Sequence, residues 1–355
     1  MKKIVSIVAL ALCFSGAVFA QNISKSELKS LQTFLNQPAS EGGNNAEALK
    51  MVGSNYAACP GIKTENGHVT EIDWSGHKLA GTLNLSNFPN LKTLKVNDNK
   101  ITAIVLSNNP SLQVVNASRN SISSVEIQNC PGVQELRLNR NRLSEIELGS
   151  TPLLKVLNVA SNMMEALDIR DLVNLQSLNC TSNRLQVLDV SMCQNLKNLY
   201  AGYNDLTSIT LAGLPKLENL NLNSNKLQKM YLQNLPNIQT IFVSDNHMSQ
   251  FAVSDCPTLL DVYAAYNDLT SFTVENCNNL AFVNLAWNDL TYLSLSNQNF
   301  LQRLNVSNNQ LLTLDVSFDP MLTYVNIVGN TTLTDFRTEG DTALRQVVGV
   351  WDTME

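Results

Sequence analysis

Apolar residues in this chain fall at fixed intervals, and the interval is not that of a helix. In LKTLKVNDNKI, residues 91–101, Leu91, Leu94, Val96 and Ile101 are apolar and the positions between them are polar. Leu94-Lys95-Val96 alternates with period two, as a short strand with one buried face must. The same spacing returns in LKVLNVASNMM (154–164), LENLNLNSNKL (217–227) and LQRLNVSNNQL (301–311). The fixed point of the pattern is an asparagine. It stands at Asn99, Asn120, Asn141, Asn162, Asn183, Asn204, Asn225, Asn246, Asn267, Asn288, Asn309 and Asn330, twelve in succession at steps of 21. The repeat reads LxxLxVxxNxLxxLxVxxxPx.

A strand of this kind buries only one face, so a single repeat has no core of its own. A stack of repeats pairs the strands in parallel and shares one interior between neighbours. The chain must then turn out of each strand, and the turn leaves backbone groups to satisfy. An asparagine amide both donates and accepts, so it can serve adjacent coils. The asparagines therefore read as scaffold, with no catalytic task.

These phrases resemble the leucine-rich repeat family, and the 21-residue length resembles the repeats of internalin-type bacterial surface proteins. The resemblance covers about Val69 to Glu355. It implies an α/β solenoid, a right-handed superhelix with a parallel β-sheet on its concave face and few helices outside an N-terminal cap. It also implies work as a protein-binding module. Some relatives carry a cysteine ladder at the sixth repeat position; here only Cys180 stands there, between Val159 and Ala201.

The ends read differently from the array. MKK, an apolar run and Phe19-Ala20 predict a secretory signal peptide over residues 1–20. Leu12 before Cys13 speaks against a lipid anchor. Residues 21–68 are expected to form a helical N-terminal cap, with a capping box from Ser24 to Glu27 and an apolar face of Leu28, Leu31, Phe34 and Leu35. A second helix is expected at NAEALKMVG. Residues 69–335 hold 12–13 repeats, with His77 in place of the ladder asparagine in the first. Residues 336–355 are expected to close the stack with a strand in LRQVVGVW and Trp351 as a lid.

The formal charge is −6, and −8 without Lys2 and Lys3 of the leader. That balance argues against nucleic acid as a partner. Export would permit disulfides among the remaining cysteines. Cys130, Cys193, Cys256 and Cys277 share one repeat position that also takes Leu172, Leu214 and Leu235, which predicts a small buried plug. Adjacent coils would let Cys256 and Cys277 bridge, but free thiols are the default. No HExxH, GxSxG or glycine-rich phosphate loop occurs, and the glycine-rich calcium nonapeptide is missing. The expectation is a protein that is no enzyme and holds no cofactor or metal.

The outward strand positions change in character along the chain. Early repeats offer Lys92, Lys95, Lys100, Arg119, Arg137, Arg140 and Arg142. Later ones offer Tyr200, Tyr203, Phe242, Tyr263, Tyr266, Phe282 and Trp287, beside Asp205, Asp245, Asp261, Asp268 and Asp289. The face is thus expected to have a basic end and an aromatic, acidic end. Arg137, Arg140, Asp268, Asp289 and the seven rings are the candidate partner-binding residues. Another protein is the expected partner. A glycan stacked on the rings is the alternative, since asparagine and aspartate could hold its hydroxyls. Tyr266 and Trp287, one coil apart, are expected to stack.

Overall fold

The computed structural model describes residues 23–149 and 151–349; the predicted leader and Trp351 lie outside them. Each coil contributes a strand of about three residues whose middle side chain is fully buried and whose flanking side chains face out, as in Asn198–Tyr200 around Leu199. These strands form one fifteen-stranded sheet. Only its first pair, Ile62–Glu65 with His68–Asp73, is antiparallel; every later pair is parallel and in register, Leu94 beside Val115 and Leu199 beside Leu220. The step is 21 residues through the array and 22 at both ends, where Ile72 pairs with Leu94 and Val325 with Val347.

The second apolar alternation of each repeat lies across the core from this sheet. It forms three short sheets of three parallel strands, one of them Lys229–Gln233, Gln250–Ser254 and Ser271–Glu275. Between the two sides runs one continuous file of leucine, valine and isoleucine. Packing along such a file is nearest-neighbour, so every coil depends on the two beside it.

The asparagine file works as its chemistry suggests. Asn225 Nδ2 donates to the carbonyls of Ala201 and Leu222, both at 3.0 Å, and its Oδ1 accepts from the N–H of Leu206 at 3.0 Å. One side chain ties its own coil to the preceding one. The same bonds recur to Asn330, which reaches Val306 O at 2.9 Å and accepts from Leu311 N at 3.2 Å.

The cysteine position is a second, weaker file of hydrogen bonds. Asn109 opens it, donating to Leu85 O and Leu106 O and accepting from Phe88 N. Cys130 Sγ donates to Leu106 O at 2.9 Å, and Thr151 Oγ1 to Leu148 O at 2.8 Å. The plug is therefore also a donor wherever the residue permits. All six described cysteines are buried and free, so Cys256 and Cys277 are not bridged.

The N-terminal cap corrects one expectation. The helix Lys25–Leu35 forms and buries Leu31, Phe34 and Leu35, but Ser24 makes no side-chain capping bond. Glu27 turns inward instead. It is 1% exposed, accepts from the N–H of Val69 at 3.0 Å and meets His68 Nδ1 at 2.9 Å. Satisfying backbone at the first strand outweighs a bond at the helix's own end, because an unpaired buried N–H is the costlier omission. The second helix is one turn, Asn45–Ala48. Fully buried Asn45 takes a ladder-like place there, donating to Phe34 O and Ala80 O and accepting from Ala80 N. Trp74 stacks on Phe34 at 5.7 Å and seals the first coil. At the other end a strand, Gln346–Val348, closes the described sheet.

Candidate functional site

The outer face of the long sheet carries the predicted residues. Its composition follows from the strand rule: the middle residue must be apolar, and the two flanking positions are free. The free positions are what differ from coil to coil.

Five of the seven candidate rings come together. Phe242 and Tyr263 occupy paired positions on adjacent strands and stack, centroids 4.6 Å apart and planes 14° apart. Phe282, in the next coil, tilts against Tyr263 at 5.0 Å. These three make a ridge across three coils. A second ridge runs beside it: Tyr266 and Trp287 stack as expected, at 5.8 Å and 10°. Between the ridges the chain passes through Ala265 and Ala286, each 5% exposed, so the floor is backbone and methyl groups.

Tyr200 and Tyr203 stand apart. Asn221 is paired with both Tyr200 and Phe242, so a polar strand separates Tyr200 from the first ridge. Ser224 and Asp245, in two successive coils, separate Tyr203 from the second.

The second ridge has an unusual backbone. The residue before each ladder asparagine turns the chain out of its strand in the left-handed region, with φ of +56° at Tyr203 and Tyr266 and +57° at Trp287. Such a slot suits glycine, asparagine or aspartate, and a bulky side chain there is costly. Elsewhere Asp98, Asp245, Asn308 and Gly329 fill it, and so do Ser161, Ser182, Ser224 and two arginines, Arg119 and Arg140. The three aromatics sit 62%, 58% and 51% exposed, so the core does not require them.

Charge is arranged less simply than the sequence suggests. The early cations are largely neutralised by neighbouring coils: Lys92 lies 3.6 Å from Glu65, Lys95 3.8 Å from Asp73 and Arg119 3.7 Å from Asp98. Arg137 is held by Glu135 of its own strand at 2.5 Å. The expected basic end is thus a mixed field, and only Lys100, Arg140 and Arg142 form no ion pair among the described residues. The parallel stack explains the difference, because it sets acid and base of successive repeats side by side.

At the aromatic end Asp205 pairs with Lys226 at 2.6 Å, Asp268 lies 3.8 Å from His247, and Asp289 accepts from Gln310. Asp245 and Asp261 have no side-chain partner among the described residues. Asp261 is half-buried beside the first ridge, and burial raises its carboxyl above the ordinary value. Burial and then the Asp261 charge raise the Tyr263 hydroxyl as well. The sequence reading missed Tyr324, on the same face, whose ring lies 5.4 Å from the Arg303 guanidinium. Its position in the flanking column was the available signal.

No group of three or more potential metal ligands occurs among the described residues. No described helix is long and apolar enough to cross a membrane.

No protein-family model matches the chain, and no curated protein sequence does. Solved structures do. The functional domain of InlJ from Listeria monocytogenes, which includes a cysteine ladder, is 21% identical over 84% of this chain and 70% of that one, with a TM-score of 0.51. YopM, a leucine-rich effector protein from Yersinia pestis, is 21% identical over 79% and 88%, with a TM-score of 0.56. A chain of the LRIM1/APL1C complex is 17% identical over 73% and 56%, with a TM-score of 0.56. These likenesses establish the fold: the chain is a leucine-rich repeat solenoid.

Proposed function

We propose that this chain is an exported, non-enzymatic binding protein that grips another polypeptide on the outer face of its long sheet. The observation that carries this reading is the gathering of Phe242, Tyr263, Tyr266, Phe282 and Trp287 on one face. Aromatic side chains in an exposed cluster are the usual anchors of a protein interface. Two of the five occupy left-handed slots that the scaffold fills more cheaply with asparagine or glycine. Asp268 and Asp289 flank the cluster, and Arg137 and Arg140 would engage the partner further along the face. LRIM1 and APL1C are seen in complex with each other, and YopM is an effector, so the fold serves recognition elsewhere.

The test compares the wild-type chain with a variant in which Tyr263, Tyr266 and Trp287 are all alanine. A pull-down from the source cells is run beside a glycan array. Capture of a polypeptide that the variant loses, with the melting temperature lowered by no more than about 10 °C for the lost ring contacts, is the expected result. Binding on the glycan array alone would replace the partner class. Collapse of stability in the variant would make the rings structural and end the proposal.

A further inference from the structure

We infer that the partner segment bound between the two aromatic ridges is basic: an extended peptide presenting lysine or arginine side chains. This rests on the binding face proposed above and names what that face is built to take.

The first ground is charge complementarity. Residues 230–302 contain no lysine or arginine and six carboxylates, Asp245, Asp255, Asp261, Asp268, Glu275 and Asp289. Four of these, Asp245, Asp261, Asp268 and Asp289, belong to the coils that carry the ridges. Elsewhere on the sheet a neighbouring coil usually answers a charge, as Asp73 answers Lys95 and Asp205 answers Lys226. Here no lysine or arginine forms an ion pair with these four among the described residues; only His247 lies near, 3.8 Å from Asp268.

The second ground is the state of Asp261. Its strand position pairs with Thr240 on one side and Phe282 on the other, neither of which carries charge. The carboxylate is half-buried against rings and unpartnered. A charge held so is poorly solvated, and a cation brought to it restores what burial took away. Arg303, the nearest arginine along the sheet, pairs with Phe282 in register and is engaged over Tyr324 instead.

The third ground is the rings. An aromatic face attracts a cation, and tryptophan most strongly. Trp287 and Tyr266 are more than half exposed, on a ridge flanked by Asp268 and Asp289. Among the described residues the fold shows this chemistry within itself in Arg303 over Tyr324 at 5.4 Å. The alanine floor presents no large side chain between the ridges. An extended segment turns every second side chain to the same side, which suits alternating basic residues.

The probes are four labelled peptides of equal length in which glycine alternates with lysine, arginine, glutamate or serine. Binding is read by fluorescence anisotropy at physiological salt. The two basic peptides are expected to bind at least about tenfold more tightly than the other two. Asp261→Asn and Trp287→Ala should each weaken them about tenfold. Glu275→Gln, on the opposite side of the coil, should not. Equal binding of the serine or glutamate peptide overturns the inference. So does equal weakening by Asp261→Asn and Glu275→Gln, which would mean attraction to net charge alone, or indifference to Trp287→Ala. If the pull-down finds a polypeptide on this face and no basic peptide binds, the face keeps its role and only the basic partner is lost.

Discussion

Asp319 occupies, ten coils along, the slot that Asn109 opens, and it keeps one half of the asparagine's bonds. Asn109 Oδ1 accepts from Phe88 N at 2.7 Å, and Asp319 Oδ1 accepts from Gln298 N at 2.6 Å. The other half fails. Asn109 Nδ2 donates to Leu85 O and Leu106 O, and the repeat puts Leu295 O and Val316 O in the equivalent places. Asp319 Oδ2 is buried without a partner, as is Asp341 Oδ2 in the next coil. A carboxylate oxygen facing carbonyls can bond only as O–H. Accordingly burial pushes the Asp319 carboxyl up to about 7, and the charges of Asp341 and Asp315 add to it.

The pH consequence has a definite sign. The folded chain holds a proton on Asp319 that the unfolded chain releases near the ordinary value of 3.8. Its contribution is complete below about pH 4, declines as pH rises to about 7 and is absent above that, with a total on the order of 4 kcal/mol. Asp319→Asn supplies the missing donor permanently. The variant should melt close to the wild type at pH 4 and several degrees higher at pH 8. A difference in melting temperature that does not grow with pH would refute the neutral acid.

The ladder predicts a large loss. Asn225→Ala leaves the N–H of Leu206 unpaired and strips one of two donors from the carbonyls of Ala201 and Leu222, which keep Asn204 and Asn246, in a site where the asparagine itself is 6% exposed. The orphaned buried N–H costs about 1–3 kcal/mol, and each of the two lost carbonyl bonds about 1 kcal/mol. A loss of about 3 kcal/mol or more in chemical denaturation is expected, against under about 0.5 kcal/mol for the neighbouring exposed Lys226→Ala. Equal effects would mean that water replaces the amide and that the file is not structural.

Much of this fold stands openly in the sequence, because repetition averages out local noise. One asparagine in phase says little, whereas twelve fix the coil length and with it the strand pairing. The stacked pair Tyr266 and Trp287 follows from that spacing alone. Interactions that depend on which residues neighbour across coils were harder to see. The early cations read as a basic field until Asp73, Asp98 and Glu65 are set beside them. Glu27 fitted a local capping motif, but its destination is Val69, forty-two residues away. The cysteine slot looked apolar because leucine shares it; Cys130 and Thr151 show that it also wants a donor. The partner-binding role is less legible still, since the outward positions are the ones the fold leaves unconstrained.

The thiols provide a third check. Burial pushes Cys59 and Cys180 up to about 12 and Cys193 up to about 11, far from the thiolate that reacts. The contact with Cys277 lowers the Cys256 thiol to about 7, but all six are buried, so no described cysteine should react with a thiol reagent in the folded protein at pH 7.5, and all six should react in denaturant. Two equivalents of label missing after denaturation would reveal a bridge and point to Cys256 and Cys277.

The left-handed slot separates the two explanations of the aromatic ridge. If Trp287 is there to shield the ladder, its loss should cost stability whatever replaces it. If it is there to bind, the scaffold should prefer a residue suited to φ near +57°. Removing the ring forfeits about 0.5–1.5 kcal/mol of stacking on Tyr266, whereas a left-handed backbone costs a bulky residue about 1–2 kcal/mol. Asparagine recovers much of that second sum and alanine does not. Trp287→Asn should therefore melt within about 2 °C of the wild type and above Trp287→Ala, and both should lose partner binding. If both variants lose more than about 2 kcal/mol and to the same extent, the ring belongs to the scaffold, and recognition must be sought elsewhere on the sheet.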